Sequence, residues 1–148
     1  MILIGFDGSD GARRAVEQAA SLFPGQSALV VTAWVGATEA APELMLAPGG
    51  VVLATIAALG DAMRERAEGL AADGAGLATA VGLVAESRAI HSGRAQWEAI
   101  VSCAEEIDAA AIVLGSRGYS MVTAAMLGSV THGVLNNAVR PVIIVPDA

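Results

Sequence analysis

Residues Ala109-Ala110-Ala111-Ile112-Val113-Leu114-Gly115-Ser116-Arg117-Gly118 form an apolar run that empties into two glycines. After nine further residues the pattern resumes as Gly128-Ser129-Val130-Thr131, so the glycines are spaced G-x2-G-x9-G-S. The apolar run has the length of a buried strand, and a helical pattern opens at the second pair. Glycine lets backbone N–H groups approach an anion closely. A helix start adds unpaired donors and a favourable dipole. The stretch therefore reads as a strand-to-helix passage that can hold phosphate. Glycine is 17 of the 148 residues, above the usual share of about 7 %, so chance spacings are the competing explanation. Placement between a strand and a helix sets this one apart.

Working outward, Ile2–Phe6 reads as a fully buried first strand ending in Asp7-Gly8-Ser9. Ser9 or Asp10 can cap a helix whose apolar positions are Ala12, Ala15, Val16, Ala19, Leu22 and Phe23, and Pro24-Gly25 stops it. Ala28–Val35 is the second strand. Gly36–Gly50 reads as a long loop, unusually apolar at Leu44, Met45 and Leu46, which suggests a cover for a pocket or a partner contact. A helix is expected from Val51 to about Val81, with one face marked by Leu53, Ile56, Leu59 or Gly60, Met63, Ala67, Leu70, Gly74 and Leu77, and Gly82 at its end. The rival reading puts a strand at Leu77–Ala85. Val84–Ile90 is the third strand. Ser92 can cap a helix with inner positions Ala95, Ala99, Ile100, Cys103 and Ile107. Ala110–Leu114 is the fourth strand, Leu127–Ala138 the last helix and Val142–Val145 the fifth strand. Strand and helix alternate throughout, which argues for one α/β domain over residues 1–148, with a parallel sheet and helices on both faces.

Composition narrows the function. The chain is 55 % hydrophobic but only 3 % aromatic, so its core is built from small and branched aliphatic residues. A formal charge of −7 leaves no basic stripe for DNA or RNA. No apolar run has the length of a membrane span, and Met1 leads into a strand without a signal-peptide pattern. A single cysteine excludes an intrachain disulfide and fits a reducing, cytoplasmic setting.

Each candidate residue has two readings. Asp7, beside Phe6, could face the same crevice as the glycines or serve as a turn residue. Ser129, Val130 and Thr131 open the last helix and could offer N–H and hydroxyl groups to phosphate; Ser129 could equally be a plain cap. Arg117 could pair with phosphate or sit in solvent. His91 and His132 lie far apart with no companion ligand, so no metal site is expected. His132 falls in the first turn of the last helix, where it could see the phosphates or, as expected, sit at the surface, and Cys103 reads as an inert apolar residue. No Ser–His–Asp set or carboxylate pair is legible, and no lysine follows the glycines as fast phosphoryl transfer would want.

Three blocks together resemble the universal stress protein family: Ile2-Leu3-Ile4-Gly5-Phe6-Asp7-Gly8-Ser9, then Gly115-Ser116-Arg117-Gly118 with Leu127-Gly128-Ser129-Val130-Thr131, then Arg140-Pro141-Val142-Ile143-Ile144-Val145-Pro146. The resemblance spans nearly the whole chain. It implies strand order 3-2-1-4-5, with a ligand site where the chain reverses direction between strands 1 and 4. Family members that keep the glycine motif bind ATP, and this chain keeps it. The resemblance places Asp7 near ribose and phosphates, with Mg²⁺ or Mn²⁺ as a companion, and the backbone of Ala33 with the side chain of Trp34 against adenine; Trp34 as a core residue is the alternative. It implies phosphate contacts at Gly115, Gly118, Gly128 and the start of the last helix. It also implies a homodimer through Val142, Ile143, Ile144 and Val145, an apolar strand placed at the sheet edge. The expected role is regulatory, in stress response. The alternatives are a dimeric interaction module that binds no nucleotide, and a slow ATPase or nucleotidyl-transfer enzyme of the same architecture.

Overall fold

The computed structural model describes residues 1–43, 50–118 and 127–147. Its strands are β1 (Ile2–Gly5), β2 (Ser27–Val35), β3 (Val84–Ser92), β4 (Ile112–Gly115) and β5 (Val142–Val145). They form one parallel sheet in the order β3-β2-β1-β4-β5. The helices are α1 (Asp10–Leu22), α2 (Ala37–Ala40), α3 (Gly50–Ala80), α4 (Gln96–Glu106) and α5 (Ser129–Asn137). Both the all-parallel sheet and its order agree with the sequence reading.

Side chains alternate across each strand, and the central strands are apolar on both faces because both are covered, whereas β3 at the edge is mostly exposed. Ile2, Ile4, Val30 and Val113 pack with Ala12, Ala15, Val16 and Ala19 of α1 and Ala78 of α3. Leu3, Leu29, Val31, Ile112 and Leu114 pack on the other face with Ile100, Cys103 and Ala104 of α4 and Val134 of α5. The small residues on α1 and α3 let their backbones lie close to the sheet. At Gly74 an added Cβ would meet the Phe6 ring at 2.7 Å and Val30 at 2.8 Å, so this mid-helix glycine is explained by packing.

The helix α3 ends at Ala80, in agreement with the expected end near Val81, and the rival strand at Leu77–Ala85 does not form; other features differ from the sequence reading. Gly82 takes φ +97°, and Leu83 N–H donates to Ala78 O while Gly82 N–H donates to Thr79 O. This glycine stop pairs the last carbonyls of α3 and turns the chain into β3. Leu53 and Leu59 are exposed, at 67 % and 39 %, against the expectation that they share the inner face. A helix of this length spans about 46 Å, more than the roughly 30 Å of a nine-residue strand. Among the described side chains of α3, burial accordingly begins only at Ala67. Ser92 is not a helix cap; it ends β3 and donates its hydroxyl to Trp34 O at 3.0 Å. The N-cap of α4 is Ala95, with no side-chain hydrogen bond, so Ala95 precedes the helix it was expected to line. Within the expected loop Gly36–Gly50, the short helix α2 forms and α3 begins. Leu44, Met45 and Leu46 lie outside the described residues.

Candidate nucleotide site

The chain leaves β1 and β4 side by side, and the connections from these two strands depart to opposite halves of the sheet. A crevice opens at their carboxyl ends for this topological reason. It encloses about 530 Å³, open solvent at its mouth included. Its lining is Gly5, Phe6 and Asp7 from the end of β1, Val31, Thr32 and Ala33 from β2, Gln96 and Ile100 from α4, Leu114, Gly115, Arg117 and Gly118 from β4 and its loop, and Val130 and Thr131 from α5. An adjoining hollow shares Asp7, Gln96, Gly118, Val130 and Thr131 and adds Gly128 and Ser129.

The expected site residues thus converge, with one exception. Phe6, Asp7, Ala33, Gly115, Arg117, Gly118, Val130 and Thr131 line the first part, and Gly128 and Ser129 line the second. Trp34 lines neither. Consecutive strand residues point to opposite faces, and Trp34 stacks edge-on against His91 of β3 at 4.8 Å between ring centres. His132 is exposed on α5, and His91 is exposed at the sheet edge. Cys103 is buried beneath α4, where burial pushes its thiol up.

The glycines do different jobs. A Cβ on Gly115 would lie 2.7 Å from the Gly11 carbonyl carbon and 3.2 Å from Ala12 N. Gly115 is thus required by the approach of α1 to β4, whatever else it does. A Cβ on Gly118 would meet Asp7 Oδ2 at 2.5 Å, so Gly118 keeps the space between the β4 loop and Asp7 open. Gly118 is not among the glycines with positive φ, so close approach, not backbone strain, accounts for it. A Cβ on Gly128 meets nothing closer than 3.5 Å.

Hydrogen bonds hold this frame. Phe6 N–H donates to Val31 O, and Thr32 Oγ1 donates to Phe6 O at 2.7 Å, carrying the β1–β2 pairing one residue past the strand. Thr131 is buried and donates its hydroxyl to Gly115 O at 2.9 Å. Its proton therefore ties the first turn of α5 to the end of β4, and its backbone N–H is what it can offer a ligand. Gly128 N–H donates to Ser116 O at 2.9 Å, closing the glycine loop upon itself. Asp7 Oδ1 accepts from Ser9 N–H at 2.9 Å, so Asp7 is both the turn residue and a wall of the crevice. The Arg117 guanidinium reaches Asp147 at 2.6 Å, and Asp147 also binds Arg14 at 2.8 Å. The Arg14 hydrogen bond, with Arg117 beside it, holds the Asp147 carboxyl below its ordinary range.

Gln96 was not anticipated. It lies in the first turn of α4 and donates Nε2–H to Ala33 O at 2.9 Å, spanning the crevice wall. In a parallel α/β sheet every helix that follows a strand begins at the same edge, so a polar side chain in a first turn is the signal that points to it.

Asp7 is the carboxylate lining the crevice. Among the described residues no group of three His, Cys, Asp or Glu side chains is placed to hold a metal. One carboxylate suits a Mg²⁺ that keeps most of its ligands from phosphates and water, and does not suit an all-protein cage.

The model of the universal stress protein family matches residues 1–146. The chain belongs to this family. A universal stress protein from Archaeoglobus fulgidus is 26 % identical with a TM-score of 0.71, the match covering 97 % of this chain and 96 % of that one. A universal stress protein solved in complex with cAMP is 27 % identical, TM-score 0.64, over 97 % and 94 %. An Archaeoglobus fulgidus universal stress protein in complex with dAMP is 25 % identical, TM-score 0.64, over 97 % and 94 %. No curated protein is significantly similar in sequence. No helix among the described residues is long and apolar enough to cross a membrane.

Proposed function

We propose that this universal stress protein binds an adenine nucleotide, ATP in the first instance, in the crevice between β1 and β4. Its role is regulatory, as a nucleotide-dependent state in a stress response, in a cytoplasmic setting and as a single domain. The observation that carries this reading is the start of α5. Its N-cap is Gly128, no side chain among the described residues caps it and no acid lies in its first turn. The opening N–H groups have no partner within the helix, and they face a hollow that Gly118 keeps clear. Phosphates belong there, and the nucleoside against Val31, Thr32 and Ala33. The relatives solved with cAMP and dAMP support a purine nucleotide as the ligand class. Mg²⁺ or Mn²⁺ would be held between Asp7 and the phosphates and would neutralise phosphate charge. Slow hydrolysis or autophosphorylation is the activity this reading leaves open to the site.

The chain also acts as a homodimer paired through β5. Val142, Ile143 and Ile144 are only half-buried in the single chain, and β5 bonds to β4 on one side alone. An apolar edge of this kind is stabilised by pairing with its two-fold mate. Sedimentation at micromolar concentration tests it: a dimer is expected, and a monomer throughout that range refutes it.

Thermal unfolding tests the nucleotide reading. ATP with Mg²⁺ at about 100 times its dissociation constant adds about 2.7 kcal/mol to the folded state, which raises Tm by roughly 5–9 °C for a domain of this length. An unmoved Tm at millimolar ATP overturns the reading.

A further inference from the structure

The glycine loop carries one cation, and that cation is already paired. From Gly115 to Thr131 the sequence contains Arg117 and no other arginine or lysine; indeed all eight basic residues of the chain are arginines. Arg117 lines the crevice, so it is the charge that a phosphate would seek first. Instead its Nε lies 2.6 Å from Asp147 Oδ2. The same carboxylate is fixed from the other side by Arg14 of α1, through Oδ1 at 2.8 Å. It is fixed a third time by its backbone, since Asp147 N–H donates to Ser116 Oγ at 3.2 Å and Ser116 N–H donates to Val145 O at 2.8 Å. Arg14 does not line the crevice. The carboxylate is thus anchored outside the site and reaches in only far enough to take Arg117.

We propose that Asp147 is a specificity-determining residue of the nucleotide site: a resident anion that neutralises Arg117 and sets the crevice against phosphate charge. The inference rests on the nucleotide reading above. A triphosphate entering the loop meets the Asp7 carboxylate on one wall and an arginine already engaged. Among the described residues, it binds with the helix N-terminus and backbone donors, or it displaces Asp147 from Arg117. In the second case Arg14 retains the carboxylate, so the exchange needs a rotation of the Arg117 side chain and no movement of the chain. The nucleoside part of the ligand lies at the β2 end and is indifferent to this exchange. Residue 147 therefore governs the ratio of nucleotide to nucleoside affinity, and leaves nucleoside affinity alone.

Calorimetric titration of the full chain with ATP and with adenosine, both at one fixed Mg²⁺ concentration, tests this. Asp147→Asn is expected to raise the ATP-to-adenosine affinity ratio about tenfold, the size of one charge-assisted hydrogen bond gained, with adenosine affinity within about twofold of the parent. Asp147→Glu, which keeps the charge, should leave the ratio within about twofold. In an Arg117→Gln background Asp147→Asn should leave the ratio unmoved, because the arginine it would free is gone. A ratio that ignores Asp147→Asn overturns the inference. So does a gain that persists without Arg117, which would reflect only the general loss of a negative charge. If the parent chain binds neither ATP nor adenosine, the nucleotide reading itself fails, an outcome distinct from binding with an unchanged ratio.

Discussion

The helices α1 and α5 begin beside each other, at the carboxyl ends of the neighbouring strands β1 and β4, yet their first turns are built in opposite ways. The start of α1 is closed. Ser9 Oγ accepts from Ala12 N–H at 3.2 Å, Asp7 Oδ1 accepts from Ser9 N–H, and Asp10 adds a negative charge in the first turn. The start of α5 is open among the described residues, with Gly128 at its N-cap, no side-chain cap and no acid in the first turn. Helix starts in one fold obey the same electrostatics, so the difference lies in who supplies the negative partner. For α1 it is the chain itself. For α5 none of the described residues supplies it, and the proposed nucleotide would.

Gly118→Val should break the open side most severely. Its side chain would enter the space held between the loop and Asp7, and nucleotide affinity should fall at least about 100-fold, or about 2.7 kcal/mol. Far-UV circular dichroism should stay near the parent spectrum. Parent-like affinity in the folded variant would show the loop to be a turn and nothing more.

Gly128→Asp converts the open start into a closed one. The backbone there, at φ −59° and ψ 153°, is the conformation a capping residue adopts, and a Cβ has room. The expected outcome is opposite in sign for stability and function: about 1 kcal/mol more stability in denaturant unfolding, and about tenfold weaker ATP binding. Weaker folding together with unchanged binding would erase the contrast between the helices.

Ser9→Ala is the reverse experiment on α1. It removes a cap and should cost about 1 kcal/mol of stability, with ATP affinity within about twofold. A large loss of affinity would show that the α1 turn also contacts ligand.

The smallest effect concerns the carboxylate that joins the two starts, since Asp147 binds Arg14 on α1 and Arg117 on the loop leading to α5. Its carboxyl is held below the ordinary 3.8, chiefly by the Arg14 hydrogen bond. A depressed carboxyl contributes stability that is fully present above its unfolded value and lost as pH falls through the folded one. Carbon-detected NMR titration should put the Asp147 midpoint below 3.8, and Arg14→Leu should bring it up. A midpoint unmoved by Arg14→Leu would show that the guanidinium is not what holds the carboxyl down.

Much of this was legible in the residues alone, for local reasons. Apolar runs such as Ile2–Phe6 and Val142–Val145 are strands because buried parallel strands need apolar residues on both faces. Ser9 and Gly82 mark a helix start and a helix end because a hydroxyl acceptor and a residue free to take positive φ act within one turn. The glycine spacing placed the crevice at the end of β4 for the same kind of reason. The strand order needed the family resemblance, since pairing joins residues distant along the chain. Other features were decided only when the elements packed. Leu53 and Leu59 match the helical period but fall on a stretch of α3 where none of the described side chains is buried, so periodicity overstates burial there. Ser92 looks like a cap and is a strand end, because β3 follows β2 register for register as far as Ser92. Trp34 and Ala33 are neighbours in sequence, and strand alternation sends one to His91 and the other to the crevice. Gln96 reaches Ala33 across 63 positions, and Asp147 reaches Arg14 across 133. Local pattern carries no record of such pairs, because their geometry exists only once the sheet has brought the ends of β1, β2, β4 and β5 to one edge.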